Sequence, residues 1–546
     1  MIPCGTSRSS ATQPSRSVVE AMSSSGFYPG HPPVTVRETH AAIVFLAGYR
    51  AYKLKKPVRM EFLDYRTLEQ RRQACMEELR VNRELSPGLG LRLRAVVALS
   101  DSYVLVGAPD ARAVEYVIEM RRFDEDRTMA ALAERGELTR DHVHAVAQRL
   151  AAFHATGEPL HPADHQADVK RAAGRNAREL LAVADDATAL RVLAAERFAG
   201  AFLLAHRREI AARAADGRVR DCHGDLRAEH VVLEDPILVV DRLEFDPALR
   251  AIDVADDLAF LVMDLERLGA GDAARLLVKA YRAAGGDPGS DELLAYYGSY
   301  RALVRAKVAM LRASQLSDPA DAAAARDEAD ELLGLAERLA WRARGPVVLA
   351  VSGPPASGKS TLAAAIGDRT GWPVLSSDVA RKRAKGLALA QALPEAEYEL
   401  PARQAIYREL GERAAAGIAH GHGVIVDATF GEPGMRSAFL DGRGLDPRLR
   451  VLECRAPARL RKRWAQERTA ATAGGSDARP VVAARLASRF SSWDELPEDV
   501  ILTLRSGLDA ATLVDQVADW LDMRACVDAT SGQRRAKRGE IGAAAP

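Results

Sequence analysis

Four short apolar runs in the C-terminal part of the chain, Val347–Val351, Pro373–Leu375, Gly423–Val426 and Arg450–Cys454, have the length and boundaries of buried strands. Helical patterns follow three of them: Thr361–Ile366, a segment carrying Arg381, Lys382 and Arg383, and one carrying Arg459 to Arg468. Strands alternating with helices predict an α/β domain on a parallel sheet. In the front half a strand-like run at Ala51–Lys53, a helical pattern over Leu68–Leu85 and an apolar strand at Ile237–Val240 predict a mixed domain. Between the halves, Asp318–Arg344 is an Ala, Glu and Asp helix pattern closing at Gly345–Pro346, a stop signal that sets the domain boundary. The expected layout is a disordered leader over 1–33, a domain over 34–335, a linker over 336–345, a second domain over 346–523 and a disordered basic tail over 524–546.

Composition narrows the partners. A chain of 546 residues is too long for one core. Lys plus Arg number 76 against 75 Asp plus Glu, so no global field recruits nucleic acid or an anionic membrane. The most apolar stretch, Leu258–Met263, is far short of a membrane span, and the Ser-, Pro- and Gly-rich leader has no signal-peptide core. Five cysteines without metal or disulfide spacing fit free thiols in a reducing, cytoplasmic setting. The cluster Arg534-Arg535-Ala536-Lys537-Arg538 is a solvated basic end, and nothing in the pattern fixes an oligomeric state.

The chemistry begins where the first C-terminal strand ends. Gly353-Pro354-Pro355-Ala356-Ser357-Gly358-Lys359-Ser360 matches the phosphate loop GxxxxGK[ST], followed by Thr361 and a helix. Strand, loop and helix N-terminus direct backbone N–H groups and the helix dipole at the phosphates of a nucleotide. Lys359 is then the charge for the β and γ phosphates of ATP, and Ser360 a ligand of Mg²⁺. Asp378, after the second strand, is the candidate base for an acceptor hydroxyl and equally a helix cap. Asp427, after the third, is the candidate Mg²⁺-water ligand. Arg463 and Arg468, on a helix running into Gly474-Gly475, are candidate lid arginines for the transferring phosphoryl group.

The set GPPASGKST, SSDVAR, VIVDATF and the arginine helix resembles the small-molecule and polynucleotide kinases of the phosphate-loop class, over roughly 346–523. That resemblance implies Asp378 as the acceptor base and Arg381 as a substrate contact.

In the front half, Asp221-Cys222-His223-Gly224-Asp225 precedes the hairpin strand ending in Asp241, and two carboxylates joined this way suit proton acceptance and metal binding. A strand lysine, Lys53, and a helix glutamate, Glu78, suit phosphate binding. These residues resemble the aminoglycoside phosphotransferase and choline kinase branch of the protein-kinase-like fold. With Glu38-Thr39-His40, Ala51–Pro57 and Ile252–Leu261, nearly the whole chain resembles a bacterial family of bifunctional aminoglycoside phosphotransferase and ATP-binding proteins. The resemblance implies an α+β kinase-like domain ahead of an α/β phosphate-loop domain, with Lys53 on phosphates, Glu78 orienting it, Asp225 as base and Asp241 on metal. It also puts His230 at a metal position where that branch carries Asn, and imidazole is a poor Mg²⁺ ligand.

Three functions stay open on these residues: an ATP-dependent phosphotransferase with two nucleotide sites acting on a small hydroxylated molecule, a regulatory kinase-like sensor gating a phosphate-loop ATPase, and a polynucleotide 5′-hydroxyl kinase. His154 reads as a packed helix histidine, Asp253, Asp256 and Asp257 as a helix-opening acidic run, and Trp464, Trp493 and Trp520 as core or lid-edge residues.

Overall fold

Along the extended run Arg50–Lys55, Lys53 and Lys55 face one side and Tyr52 and Leu54 the other, as the two-residue period of a strand requires. The computed structural model describes residues 16–39, 41–60, 63–388, 391, 399–441, 444–470 and 486–542. They fall into two units, Met1–Ala163 with Ala211–Gly289, and Asp164–Ile210 with Ser290–Pro546.

The first unit is built on an antiparallel sheet of β1 (Val34–Glu38), β2 (Ala42–Ala47), β3 (Arg50–Lys55), β4 (Arg92–Ala98), β5 (Tyr103–Gly107) and β6 (Ala113–Arg121), in the order β1-β2-β3-β6-β4-β5. Tyr52 and Leu54 pack with Phe45 and Val117 on the face that also takes Val18 and Met22 from the helix Arg16–Ser23. The disordered leader expected through residue 33 is therefore wrong from residue 16 onward, because a polar sequence around two apolar residues one helical turn apart still covers an open sheet face.

On the opposite face lies the helix Leu68–Asn82, started by a capping box in which Thr67 Oγ1 accepts from Gln70 N at 3.2 Å and Gln70 Oε1 accepts from Thr67 N at 2.9 Å. Arg71 of this helix donates through Nε to Glu115 of β6 at 3.0 Å, both side chains buried, which fixes the helix against the sheet. Helices Met129–Glu134, Arg140–Thr156, Val254–Arg267 and Gly271–Ala283 belong to the same unit. An antiparallel sheet with one such helix, followed by a helical part carrying the His223-Gly224-Asp225 loop, is the protein-kinase-like α+β arrangement.

In the second unit the strands β7 (Val348–Ser352), β8 (Val374–Ser376), β9 (Val424–Asp427), β10 (Leu449–Arg455) and β11 (Ile501–Arg505) form a parallel sheet in the order β8-β9-β7-β10-β11. Two clusters cover its faces, one around Leu410, Phe430, Phe439 and Trp493, the other around Leu362, Ile366, Val514 and Val517. This is the expected α/β sheet, with one further strand, β11, that the four apolar runs did not include. The same unit holds helices His165–Leu181, Asp186–Ala205, Asp291–Gln315 and Pro319–Ala343.

Two expected boundaries are corrected. Residues 336–343, assigned to a linker, are the buried last turns of Pro319–Ala343, with Leu339, Ala340, Trp341 and Ala343 in the core. The tail from residue 524 continues the helix Ala510–Gly542.

Candidate functional sites

Both sites are assembled from strand ends. In the first unit, Lys53 Nζ donates to Glu78 Oε1 at 2.9 Å and to Asp241 Oδ1 at 2.8 Å. Burial opposes the lysine's charge, but Asp241 and Glu78 outweigh it and hold Lys53 above the ordinary lysine range. Lys53 in turn holds the Asp241 carboxyl well below the usual carboxylate range. Lys55, on the same face of β3 and 2% exposed, pairs with Glu78 and Glu244, and the Tyr65 hydroxyl donates to Glu244 at 3.1 Å. The structure thus separates the two lysines: Lys53 meets Asp241, and Lys55 is sealed behind it. Glu244 went unnoticed in the sequence, and Tyr65, part of the Phe62-Leu63-Asp64-Tyr65 run that resembles the family, was given no role, because no motif spacing ties either to Lys55.

Asn82, the last residue of the Leu68–Asn82 helix, accepts from Arg242 N at 3.0 Å and so ties the segment after Asp241 to the helix bearing Glu78. The loop of Asp225 hangs from a different element. Asp257, fully buried in Val254–Arg267, accepts from His223 N and Gly224 N, both at 2.9 Å, and from His154 Nε2 at 3.1 Å, while His154 Nδ1 accepts from the Tyr281 hydroxyl at 2.8 Å. Burial alone would raise the Asp257 carboxyl, yet these hydrogen bonds keep it below the usual range. Gly224 has φ +84°, and a Cβ there would stand 2.9 Å from both Leu243 Cδ1 and Leu249 O, so only glycine fits. Asp257, read from sequence as a helix-opening acid, lies in the first turn of that helix and from there also anchors the loop.

Asp225 is flanked by Arg227, whose Nε lies 3.2 Å from both carboxylate oxygens. His230 Nδ1 donates to the Asp225 carbonyl at 2.7 Å, and its Nε2 accepts from Arg227 Nη2 at 3.0 Å, so both ring nitrogens are engaged inside the loop. Lys53, Asp225, Arg227, His230 and Asp241 line one cavity of about 420 Å³. As a Mg²⁺ donor set, a carboxylate already paired with Lys53 and an imidazole fit poorly. His154, Cys222 and Asp257 lie close enough to share an ion, but both nitrogens of His154 already have hydrogen-bond partners and burial pushes the Cys222 thiol up.

In the second unit the sheet register does the assembling. Asp427, the last residue of β9, pairs with Val351 of β7 on one side and with Ser376 of β8 on the other. The phosphate loop after β7, Asp427, and Asp378 two residues past Ser376 therefore share the carboxyl edge of three adjacent parallel strands, where α/β sheets bind ligands. Gly353, at φ +145°, is required because a Cβ would meet the Cys454 carbonyl at 2.6 Å and Ser357 Oγ at 2.7 Å. Ala356 and Gly358 also have positive φ, which curls Gly353–Gly358 into a concave loop opening the helix Lys359–Thr370. Lys359 Nζ folds back to donate to the Pro354 carbonyl at 2.9 Å. Ser357 Oγ is buried and meets no hydrogen-bond partner among the described residues. Ser360 and Thr361 are exposed on the first helical turn. A Ser360 hydroxyl and an Asp427 carboxylate are hard oxygen donors, and they fit Mg²⁺.

Arg381 is mostly buried and lies 3.3 Å from Asp378 Oδ1. Arg463 is exposed on the helix Ala458–Ala470, whose Trp464 ring approaches to 3.9 Å of a Cβ built on Gly358. Arg468 lies on the same helix; its side chain, and Gly474-Gly475, lie outside the described residues. Trp493 is fully buried and donates to Ser352 Oγ at 3.3 Å. Among the described residues no helix is long and apolar enough to cross a membrane.

Residues 348–492 match the family described as an AAA domain. An uncharacterized protein of Mycobacterium tuberculosis (strain ATCC 25618 / H37Rv), Rv2004c, is 35% identical over 474 residues, covering 85% of this chain and 91% of the relative. Among solved structures, a microcompartment-associated aminopropanol kinase aligns with 59% of this chain and 97% of its own at 17% identity and a TM-score of 0.36. A gluconokinase from Sinorhizobium meliloti 1021 aligns with 33% of this chain and 93% of its own at 16% identity and a TM-score of 0.24.

Proposed function

The chain belongs to one family with the mycobacterial protein Rv2004c, and from that two-domain premise we propose that it is an ATP-dependent phosphotransferase whose phosphate-loop domain phosphorylates a hydroxyl of a small molecule. The observation that supports this best is the register of β8, β9 and β7, which gathers the phosphate loop, Asp427 and Asp378 on one strand edge.

In this reading the amides of Gly353–Ser360 hold the β and γ phosphates, and Lys359 leaves the Pro354 carbonyl to neutralise them. Ser360 and Asp427 would hold Mg²⁺, and the ion would supply charge neutralisation on the phosphates. Asp378 accepts the proton of the acceptor hydroxyl as its oxygen attacks the γ phosphorus and the bond to the β-phosphate oxygen breaks. Arg381, 3.3 Å from Asp378, orients that carboxylate and the acceptor. Arg463 and Arg468, on the helix beside Gly358, close over the charge that develops in transfer.

Lys359→Ala tests the assignment. ATP turnover by the full-length protein is expected to fall by about two to three orders of magnitude, with the melting temperature unchanged. Near wild-type turnover overturns it.

A second reading applies to the front site alone. With Lys53 held by two carboxylates, Asp225 flanked by Arg227 and His230 bound inside its own loop, that site suits nucleotide sensing better than turnover.

A further inference from the structure

In the second unit, away from the phosphate loop, the helices His165–Leu181, Asp186–Ala205 and Asp291–Gln315 enclose a cavity of about 560 Å³. That is the size of a small-molecule site, and it takes no part in the chemistry above. Its walls are apolar, formed by Leu180, Val192, Phe198, Leu203 and Leu303. Side chains that close-packed neighbours would ordinarily fill leave a space here, because three positions on the facing helices are Gly174, Ala199 and Gly200.

Two polar features break the apolar lining. Asn176 is 5% exposed, lines the cavity, and its Oδ1 meets no hydrogen-bond partner among the described residues. A buried amide oxygen without a donor is unfavourable, so a donor brought in from outside is favoured there. The second feature is charge. Lys170, Arg171, Arg175 and Arg178 line the cavity against the single carboxylate of Glu196. Arg171 is paired with Asp168, whereas Lys170, Arg175 and Arg178 have no acidic partner among the described residues.

We infer that this cavity binds a small amphipathic anion: an aliphatic carboxylate whose chain fills the apolar space, whose head lies among Lys170, Arg175 and Arg178, and whose hydroxyl donates to Asn176. Phe198 gives the site a route to the phosphate-loop domain. Its ring lines the cavity and also receives the Arg344 guanidinium at 4.5 Å, and Arg344 makes a two-point pair with Asp522 of the last helix at 2.7 and 2.8 Å. Arg344 stands four residues before β7.

Isothermal titration of the full-length protein with 3-hydroxydecanoate, decanoate and decylamine tests the inference. The expected result is one 3-hydroxydecanoate per chain, decanoate weaker by about fivefold for the lost hydrogen bond, and no saturable binding of decylamine. Arg175→Ala with Arg178→Ala is expected to weaken 3-hydroxydecanoate by about tenfold, and Asn176→Leu to bring it level with decanoate. Ala199→Leu with Gly200→Leu fills the space and is expected to abolish binding; leucine is a good helix former at both positions and better than glycine at the second, and an unchanged circular dichroism spectrum with an unchanged or higher melting temperature shows that the fold persists. If that pair fails to fold, Leu303→Trp serves in its place. Decylamine binding as tightly as decanoate overturns the charge assignment. Undiminished binding in the filled variant, or no binding by any probe at millimolar concentration, overturns the site.

Discussion

Lys53 and Lys359 are the lysines proposed to meet phosphate in the two units, yet their partners differ in kind. Lys53 is clamped by the full charges of Glu78 and Asp241, drawn from a helix and from a hairpin far along the chain. Among its contacts, Lys359 donates to a backbone carbonyl of its own loop, that of Pro354, five residues before it. An ionic partner must be displaced, or share the lysine, before a phosphate gains its charge, whereas giving up a carbonyl breaks a charge-assisted hydrogen bond without leaving a second full charge unanswered. The front site is therefore a network of full charges drawn from separate elements, and the second is a local loop whose lysine reaches back to its own backbone.

That contrast breaks most directly at the second site. Asp378→Asn keeps a helix-capping side chain but accepts no proton, so phosphate transfer to an acceptor is expected to fall by about two to four orders of magnitude while ATP affinity and melting temperature stay put. Single-turnover transfer from labelled ATP checks it; an undiminished rate returns Asp378 to a structural role.

The networked character of the front site predicts a large stability effect away from any ligand. Asp257→Ala strands the His223 and Gly224 N–H groups and the His154 imidazole in a dry interior, at a cost of about 3–5 kcal/mol in denaturant unfolding. A loss below 1 kcal/mol shows that the loop does not hang on Asp257.

A pH dependence sharpens the same point. His223 Nε2 donates to the Val240 carbonyl at 2.9 Å, and its Nδ1 accepts from Asp225 N at 3.3 Å, so a second proton would face an N–H. Burial pushes this imidazole down to about 4. Unfolded, it titrates near 6.5, so between those values the unfolded chain holds the extra proton and stability falls with falling pH, by about 1.4 kcal/mol per unit. His223→Gln is expected to flatten that slope in chemical denaturation between pH 6.5 and 4; an unaltered slope assigns it to other groups.

The smallest effect is at His230. In a Lys359→Ala background, His230→Asn replaces an imidazole with an amide oxygen that Mg²⁺ prefers, and residual turnover is expected to rise about fivefold, with Mn²⁺ helping the unaltered histidine. A fall instead makes the histidine a working part of the front loop.

How much of this was legible in the sequence follows the same division. The phosphate loop is eight contiguous residues whose conformation is set by their own glycines, so its motif announces both place and shape. The strands carrying Asp378 and Asp427 showed as apolar runs, but their adjacency depends on the order β8-β9-β7, which no local pattern encodes. At the front, Lys53 and Glu78 showed as a strand lysine and a helix glutamate and Asp225 and Asp241 as two carboxylates on a hairpin, but the groups that fix their surroundings, Glu244 on Lys55, Asn82 on Arg242, Arg227 on Asp225 and Asp257 on Gly224, sit at separations that follow no repeat. The leader helix was missed because Val18 and Met22 are apolar positions in a polar segment, meaningful only once the sheet face they cover is known.

The two units also interleave in the chain, which passes between them after residues 163, 210 and 289. A gene cut just ahead of the phosphate-loop strand would give one product carrying helices Asp186–Ala205 and Asp291–Gln315 without the sheet they belong with, and another lacking the helices of its own unit that precede the cut. The stacked rings of Phe202 and Tyr296, 4.4 Å apart, join segments that flank the whole of Ala211–Gly289, so that stretch behaves as a closed excursion from one body into the other. Dissection by scissors would confuse loss of fold with loss of function; silencing each site by single substitutions in the intact polypeptide keeps the two apart.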